Sequence, residues 1–172
     1  NDHLIGASLI PISFNITGLD QGTMTGLGGG FTSIENLTGG DEGDTFQLNG
    51  GTLTGTIDGG AIPSGSGPDT LIADNAVTTA FVVTSSPDRL ALSTMTGLGG
   101  GFTNVDNLVG GANSTLIGPD TPNTWHITGA GEGKLLYWGN FSNVVNLVGG
   151  SDSDTFTFEP DLSMQDTFQL NG

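Results

Sequence analysis

The sequence predicts an all-β chain folded as a parallel β-solenoid (a β-helix or β-roll). Three observations predict it: phrases that recur along the chain, short apolar runs bounded by turn residues, and the lack of any helical period. TMTGLGGGFTSIENLTGG (23–40) returns as TMTGLGGGFTNVDNLVGG (94–111), 71 residues on, with 14 of 18 positions identical. Its second half comes back as FSNVVNLVGG (141–150). Internal repetition of this kind marks an array of like units.

Taken in order, each phrase reads as a short strand of alternating or β-branched apolar residues closed by Gly, Asn, Asp or Pro. NDHLIG (1–6), PDTLIA (68–73) and NSTLIG (113–118) form one set, centred near Ile5, Leu71 and Leu116. FNIT (14–17), FVVT (81–84) and WHIT come after them, centred near Ile16, Val83 and Ile127. The next runs centre near Met24, Ser93 and Leu136, where glycine-rich corners such as LGGG (27–30 and 98–101) turn the chain. The Asn-Leu phrases centre near Glu35, Asp106 and Val145. DTFQL (44–48), DTFTF (154–158) and a second DTFQL (166–170) centre near Gln47, Phe156 and Phe168, and LTGTI adds a run near Thr56. Successive centres lie about 9 to 15 residues apart, a spacing typical of all-β chains.

The strand count also bears on the shape of a coil. Glu35 to Asp106 is six steps and Asp106 to Val145 is four. If equal phrases share a face, two sides fit both counts, so a two-sided coil of about 20 residues is expected, with stacked strands about 4.8 Å apart. The two C-terminal DTF phrases fall one step apart, which calls for a small strand at Leu162–Met164 or a slip of phase. Residues 1–172 form a single repeat domain, with related segments at about 1–67, 68–112 and 113–172. The expected core comprises Ile34, Leu37, Phe46, Leu48, Val105, Leu108, Val144 and Leu147. Asn36, Asn107 and Asn146 share one slot, where side-chain amides can stack into a structural ladder. A turn residue of positive φ is the other reading of that slot.

Composition narrows function. Eighteen Asp and Glu face only Arg89 and Lys134, a formal charge of −16. That excludes phosphate-driven nucleic-acid binding and disfavours an anionic membrane surface, while high salt or divalent cations would relieve the repulsion. Cysteine is absent, so disulfides, thiolate metal sites and thiol nucleophiles are excluded. No apolar run is long enough to cross a membrane as a helix. His3 and His126 stand far apart, and no HExxH, GxSxG or phosphate loop occurs. The acid pairs Asp41/Asp44 and Asp152/Asp154 have the residue types of polysaccharide-cleaving sites, yet they sit in repeat turns. The stretch from Trp125 to Trp138, with Tyr137, is the place that breaks the repeat, and its aromatics read as core fillers or as a sugar platform.

GGDEGDTFQ (39–47), GSGPDTLIA (65–73) and GGSDSDTFT (149–157) resemble degenerate copies of the RTX nonapeptide GGxGxDxUx. The resemblance implies calcium as the cofactor, with Asp41, Asp44, Asp69, Asp152 and Asp154 as candidate ligands at the turns. Glu42 and Asp152 replace the middle glycine, and the copies are not in tandem. More broadly, NTWHITG, FSNVVNLVGG and LTGTIDGG are similar to repeat regions of filamentous-haemagglutinin-like adhesins and other large bacterial secreted or surface proteins. The expectation is an extracellular structural repeat protein, an adhesin stalk, matrix or filament subunit at the bacterial cell surface, and not an enzyme. Its partners would be further copies stacked head to tail through strands such as 166–172, or neighbouring repeats of the same polypeptide. A calcium-dependent RTX-type module is the alternative, and a polysaccharide-binding or polysaccharide-cleaving β-helix is a third.

Overall fold

The computed structural model describes residues 1–61, 66–84, 91–159 and 169–171, and over these the protein is all-β. The expectations placed on Arg89, Leu162–Met164 and Phe168 lie outside the described residues. No helix among the described residues is long and apolar enough to cross a membrane.

The described residues form three sheets. The first, all parallel, holds β1 (His3–Ile5), β5 (Asn36–Thr38), β7 (Thr56–Asp58) and β11 (Gly101–Thr103). A second contains β9 (Thr79–Val82), β10 (Thr94–Met95), β13 (Ser114–Ile117), β17 (Asn146–Val148) and β19 (Gln169–Asn171). The largest runs β18 (Thr155–Phe158), β14 (Thr124–Gly129), β15 (Glu132–Leu135), β16 (Gly139–Ser142), β12 (Asn107–Val109), β8 (Thr70–Ile72), β6 (Thr45–Leu48), β2 (Ser13–Gly18), β3 (Gln21–Met24) and β4 (Phe31–Thr32).

Among the described residues, eleven of the sixteen strand pairings are parallel, and the five antiparallel ones all belong to three hairpins and their continuations. The hairpins are copies of one another. Phe14 faces Met24, Phe81 faces Met95 and Trp125 faces Leu135.

These hairpins explain the spacing of the parallel partners. Where none intervenes the step is close to the expected coil, as from Leu37 to Ile57, 20 residues on, and from Phe46 to Leu71, 25 on. Where one intervenes the step lengthens, to 33 from Leu4 to Leu37 and 37 from Leu71 to Leu108. The extra residues leave the stack as the hairpin and return to it.

The two-sided count does not describe this arrangement. The three Asn-Leu phrases lie on three different sheets: β5 on the four-stranded, β12 on the ten-stranded and β17 on the five-stranded sheet. Equal phrases therefore do not share a sheet, and a hairpin lies in the chain between each phrase and the next. The local partner does persist. β5 pairs with HLI of β1, β12 with TLI of β8, and β17 with TLI of β13.

Every expected core residue points inward: Leu37, Phe46, Leu48, Val105, Leu108, Val144 and Leu147 are buried, and Ile34 packs partly buried against them. In the three-residue strands β5, β8, β12 and β17 only the central leucine is buried, and each sits beside an apolar partner on its own sheet: Leu37 beside Leu4 and Ile57, Leu108 beside Leu71, and Leu147 beside Leu116. Longer strands place two, as Phe14 and Ile16 do in β2.

Candidate functional site: an aspartate ladder and a tyrosine corner

The residue just before each strand of the β2–β6–β8–β12 stack occupies one column: Ile12, Asp44, Asp69 and Asp106. The Ile12 N–H donates to Asp44 Oδ1 at 2.6 Å, the Asp44 N–H to Asp69 Oδ1 at 2.7 Å, and the Asp69 N–H to Asp106 Oδ2 at 2.8 Å. Asp44 Oδ2 takes a further N–H from Gly40. Asp44 and Asp69 are fully buried and Asp106 nearly so. A carboxylate so placed satisfies main-chain donors that the parallel ladder leaves open at the strand entrance. Burial raises the pKa of Asp44 above its ordinary value, and the N–H groups of Ile12 and Gly40 oppose that rise.

The same device recurs at the other end of the large sheet. The Asn123 N–H donates to Asp154 Oδ1 at 2.9 Å, and its side-chain amide donates to the same oxygen at 2.8 Å. The glycines of the preceding Gly-Gly pairs make room for it. A Cβ at Gly39 would collide with Asp44 Oδ2, and one at Gly149 with Asp154 Oδ2.

Thus the structure places three of the five candidate calcium ligands, Asp44, Asp69 and Asp154, on main-chain N–H groups of neighbouring layers. Asp41 is half-buried and Asp152 exposed, each in the turn before its ladder partner. Among the described residues no group of three or more His, Asp or Glu side chains converges as a cation cage would.

The Asn slot bonds between layers, though to threonines more than to other asparagines. Asn36 Oδ1 accepts the Thr56 N–H at 3.0 Å, Asn107 Nδ2 donates to Thr70 Oγ1 at 3.3 Å, and Asn146 Nδ2 donates to Thr115 Oγ1 at 3.5 Å. One Asn–Asn rung exists among the described residues, from Asn140 Nδ2 to Asn107 Oδ1 at 3.0 Å. Positive φ belongs to a different slot, three residues earlier: Ser33, Asn104 and Asn143, at 52–57°. The histidines also bridge layers, His3 Nε2 to Thr38 Oγ1 and His126 Nδ1 to Thr157 Oγ1.

The departure from this regularity is the third hairpin. In all three copies the chain leaves the second hairpin strand through the same tight turn. The N–H of Leu27, Leu98 and Trp138 bonds the carbonyl of Met24, Met95 and Leu135, at 3.0, 3.1 and 3.0 Å. The third residue of this turn has positive φ: Gly26 at 83°, Gly97 at 96° and, in the third copy, Tyr137 at 65°. Glycine adopts that conformation freely, whereas an L side chain there costs about 1–2 kcal/mol. Trp125, Leu135 and Trp138 are buried as core fillers, but Tyr137 is 76% exposed.

No family model, curated protein or solved structure matches the chain.

Sequence reasoning singled out the Trp125–Trp138 stretch but missed the strain at Tyr137. The signal was present: setting MTGLGGGF beside LLYWGNF puts Tyr137 on the glycine of the other two copies.

Proposed function

We propose that this chain is a structural module: a parallel β-solenoid with three hairpin-bearing units, serving as part of an extracellular adhesin stalk, matrix or filament and not as a catalyst. The observation that carries the reading is the aspartate ladder. The acidic side chains that resemble metal-binding turns in composition give their oxygens to the N–H groups of adjacent layers, so the chain's most distinctive chemistry holds layers together. The histidine and asparagine bridges add to the same end. Growth occurs by adding layers, either from further repeats of one polypeptide or from a second copy stacked head to tail. Parallel stacking suits this because each layer offers the next one a full row of main-chain donors and acceptors.

Sedimentation and negative-stain imaging of the purified chain, with calcium and with EDTA, test the reading. Elongated particles or fibres whose thermal midpoint is the same in both buffers are expected. Folding that requires calcium would replace it with the RTX-type module. Cleavage of a polysaccharide by the purified chain would replace it with an enzyme.

A further inference from the structure

We propose that the corner at Tyr137 binds a neutral polysaccharide, with the phenol ring as the platform for one sugar. This function is additional to a structural role and does not depend on whether the module belongs to a stalk or a matrix. The case begins with conformational strain: two copies of the same turn use glycine, and the third places a bulky aromatic in the left-handed region. Ser33, Asn104 and Asn143 also have positive φ, but they are small polar residues in a slot shared by all three copies, whereas Tyr137 is a bulky aromatic where the other two copies have glycine, which points to a role outside the fold. Packing does not supply that role, since Leu135 and Trp138 on either side already fill the core while Tyr137 faces solvent.

The surroundings supply the rest. Two hollows, of about 400 and 410 Å³, share Leu136, Tyr137 and Trp138. One is walled by Pro119, Pro122 and Asn123, the other by Asp106, Lys134 and Asn140. An aromatic face with a hollow to either side fits a chain of sugar rings: the ring stacks on the C–H face of one unit, and the exposed Lys134 ammonium and Asn140 amide oxygen meet the hydroxyls of its neighbour. A peptide would instead call for a sheet edge or a deep apolar groove. The formal charge of −16 repels polyanions, which selects a neutral polymer.

Affinity electrophoresis in gels containing a soluble neutral β-glucan or galactomannan tests the proposal, with alginate as the charged control and melting curves on the same samples. The neutral gels should retard the wild-type chain. Tyr137→Gly should weaken retardation about tenfold or more and at the same time raise the thermal midpoint by a few degrees, roughly what relief of an unfavourable φ gives. Tyr137→Phe should keep the binding. Glycine is the residue of the other two copies, so this variant folds, and its loss of binding cannot be ascribed to unfolding. Absence of retardation by either neutral polymer, equal retardation of the glycine variant, or binding to alginate alone would overturn the proposal.

Discussion

Two regions of the large sheet use the same parts. In one, β2 and β6 bring Phe14 over Phe46 at 4.8 Å and 2°, with the Ile12 N–H on Asp44. In the other, β14 and β18 bring Trp125 over Phe156 at 5.5 Å and 10°, with the Asn123 N–H on Asp154. Yet Phe46 and Asp44 are fully buried, whereas Phe156 and Asp154 are only partly so. The difference lies in the neighbouring layer. β6 is held between β2 and β8, while β18 pairs only with β14 at the end of the sheet order among the described residues. A repeated phrase carries a fixed local geometry, and the layer added over it decides how much that geometry contributes.

The largest contrast should appear on removing the aromatic ring. Phe46→Ala should cost about 3–5 kcal/mol, as buried phenylalanines do, and Phe156→Ala roughly half of that or less, since less of its surface leaves water. Urea unfolding of both variants measures this, and equal losses would break the comparison.

The ladder should show the same order with smaller numbers. Asp44→Ala leaves the N–H groups of Ile12 and Gly40 without their acceptor in a buried place, at a cost of about 2–3 kcal/mol. Asp154→Ala leaves groups that water can reach, at about 1 kcal/mol or less. If the exposed position proved the more costly, the ladder would owe its worth to something other than burial.

The smallest effect concerns pH and sharpens the contrast. The pKa of Asp44 is raised on folding, chiefly by burial. The folded chain then holds its proton more tightly than the unfolded one, so this group's contribution is full below the ordinary carboxylate range and is lost as pH rises through the folded value. Melting midpoints taken from about pH 4 to 7 should therefore fall less steeply in Asp44→Asn than in the wild-type chain. A steeper fall in the variant would reverse the assigned sign.

Much of the fold was legible in the sequence because its information is local. The glycine-bounded runs gave the strands, and alternation gave the buried positions, Leu37 through Leu147. A parallel partner about 20 residues away was expected throughout, and Leu37 meets Ile57 at that spacing, with no hairpin between them. Whether a run such as QGTM folds back on SFNI or pairs in parallel with a distant strand depends on tertiary partners, and that choice decides which pairings are antiparallel. The aspartates were recognised as special, and their partners were not, because main-chain donors leave no trace in the sequence. Tyr137 could have been found by aligning the corners of the copies and asking what the glycines there were for.

The dispersal of the Asn-Leu phrases over three sheets bears on how the chain avoids misassembly. Repeat proteins risk pairing the right strand with the wrong copy, since near-identical sequences compete for one neighbour. Here Asn107–Val109 cannot replace Asn36–Thr38 by sliding one unit along a stack, because the two belong to different sheets. Moving each copy to a different sheet thus works as proofreading by topology: the chain repeats its words without letting them be confused.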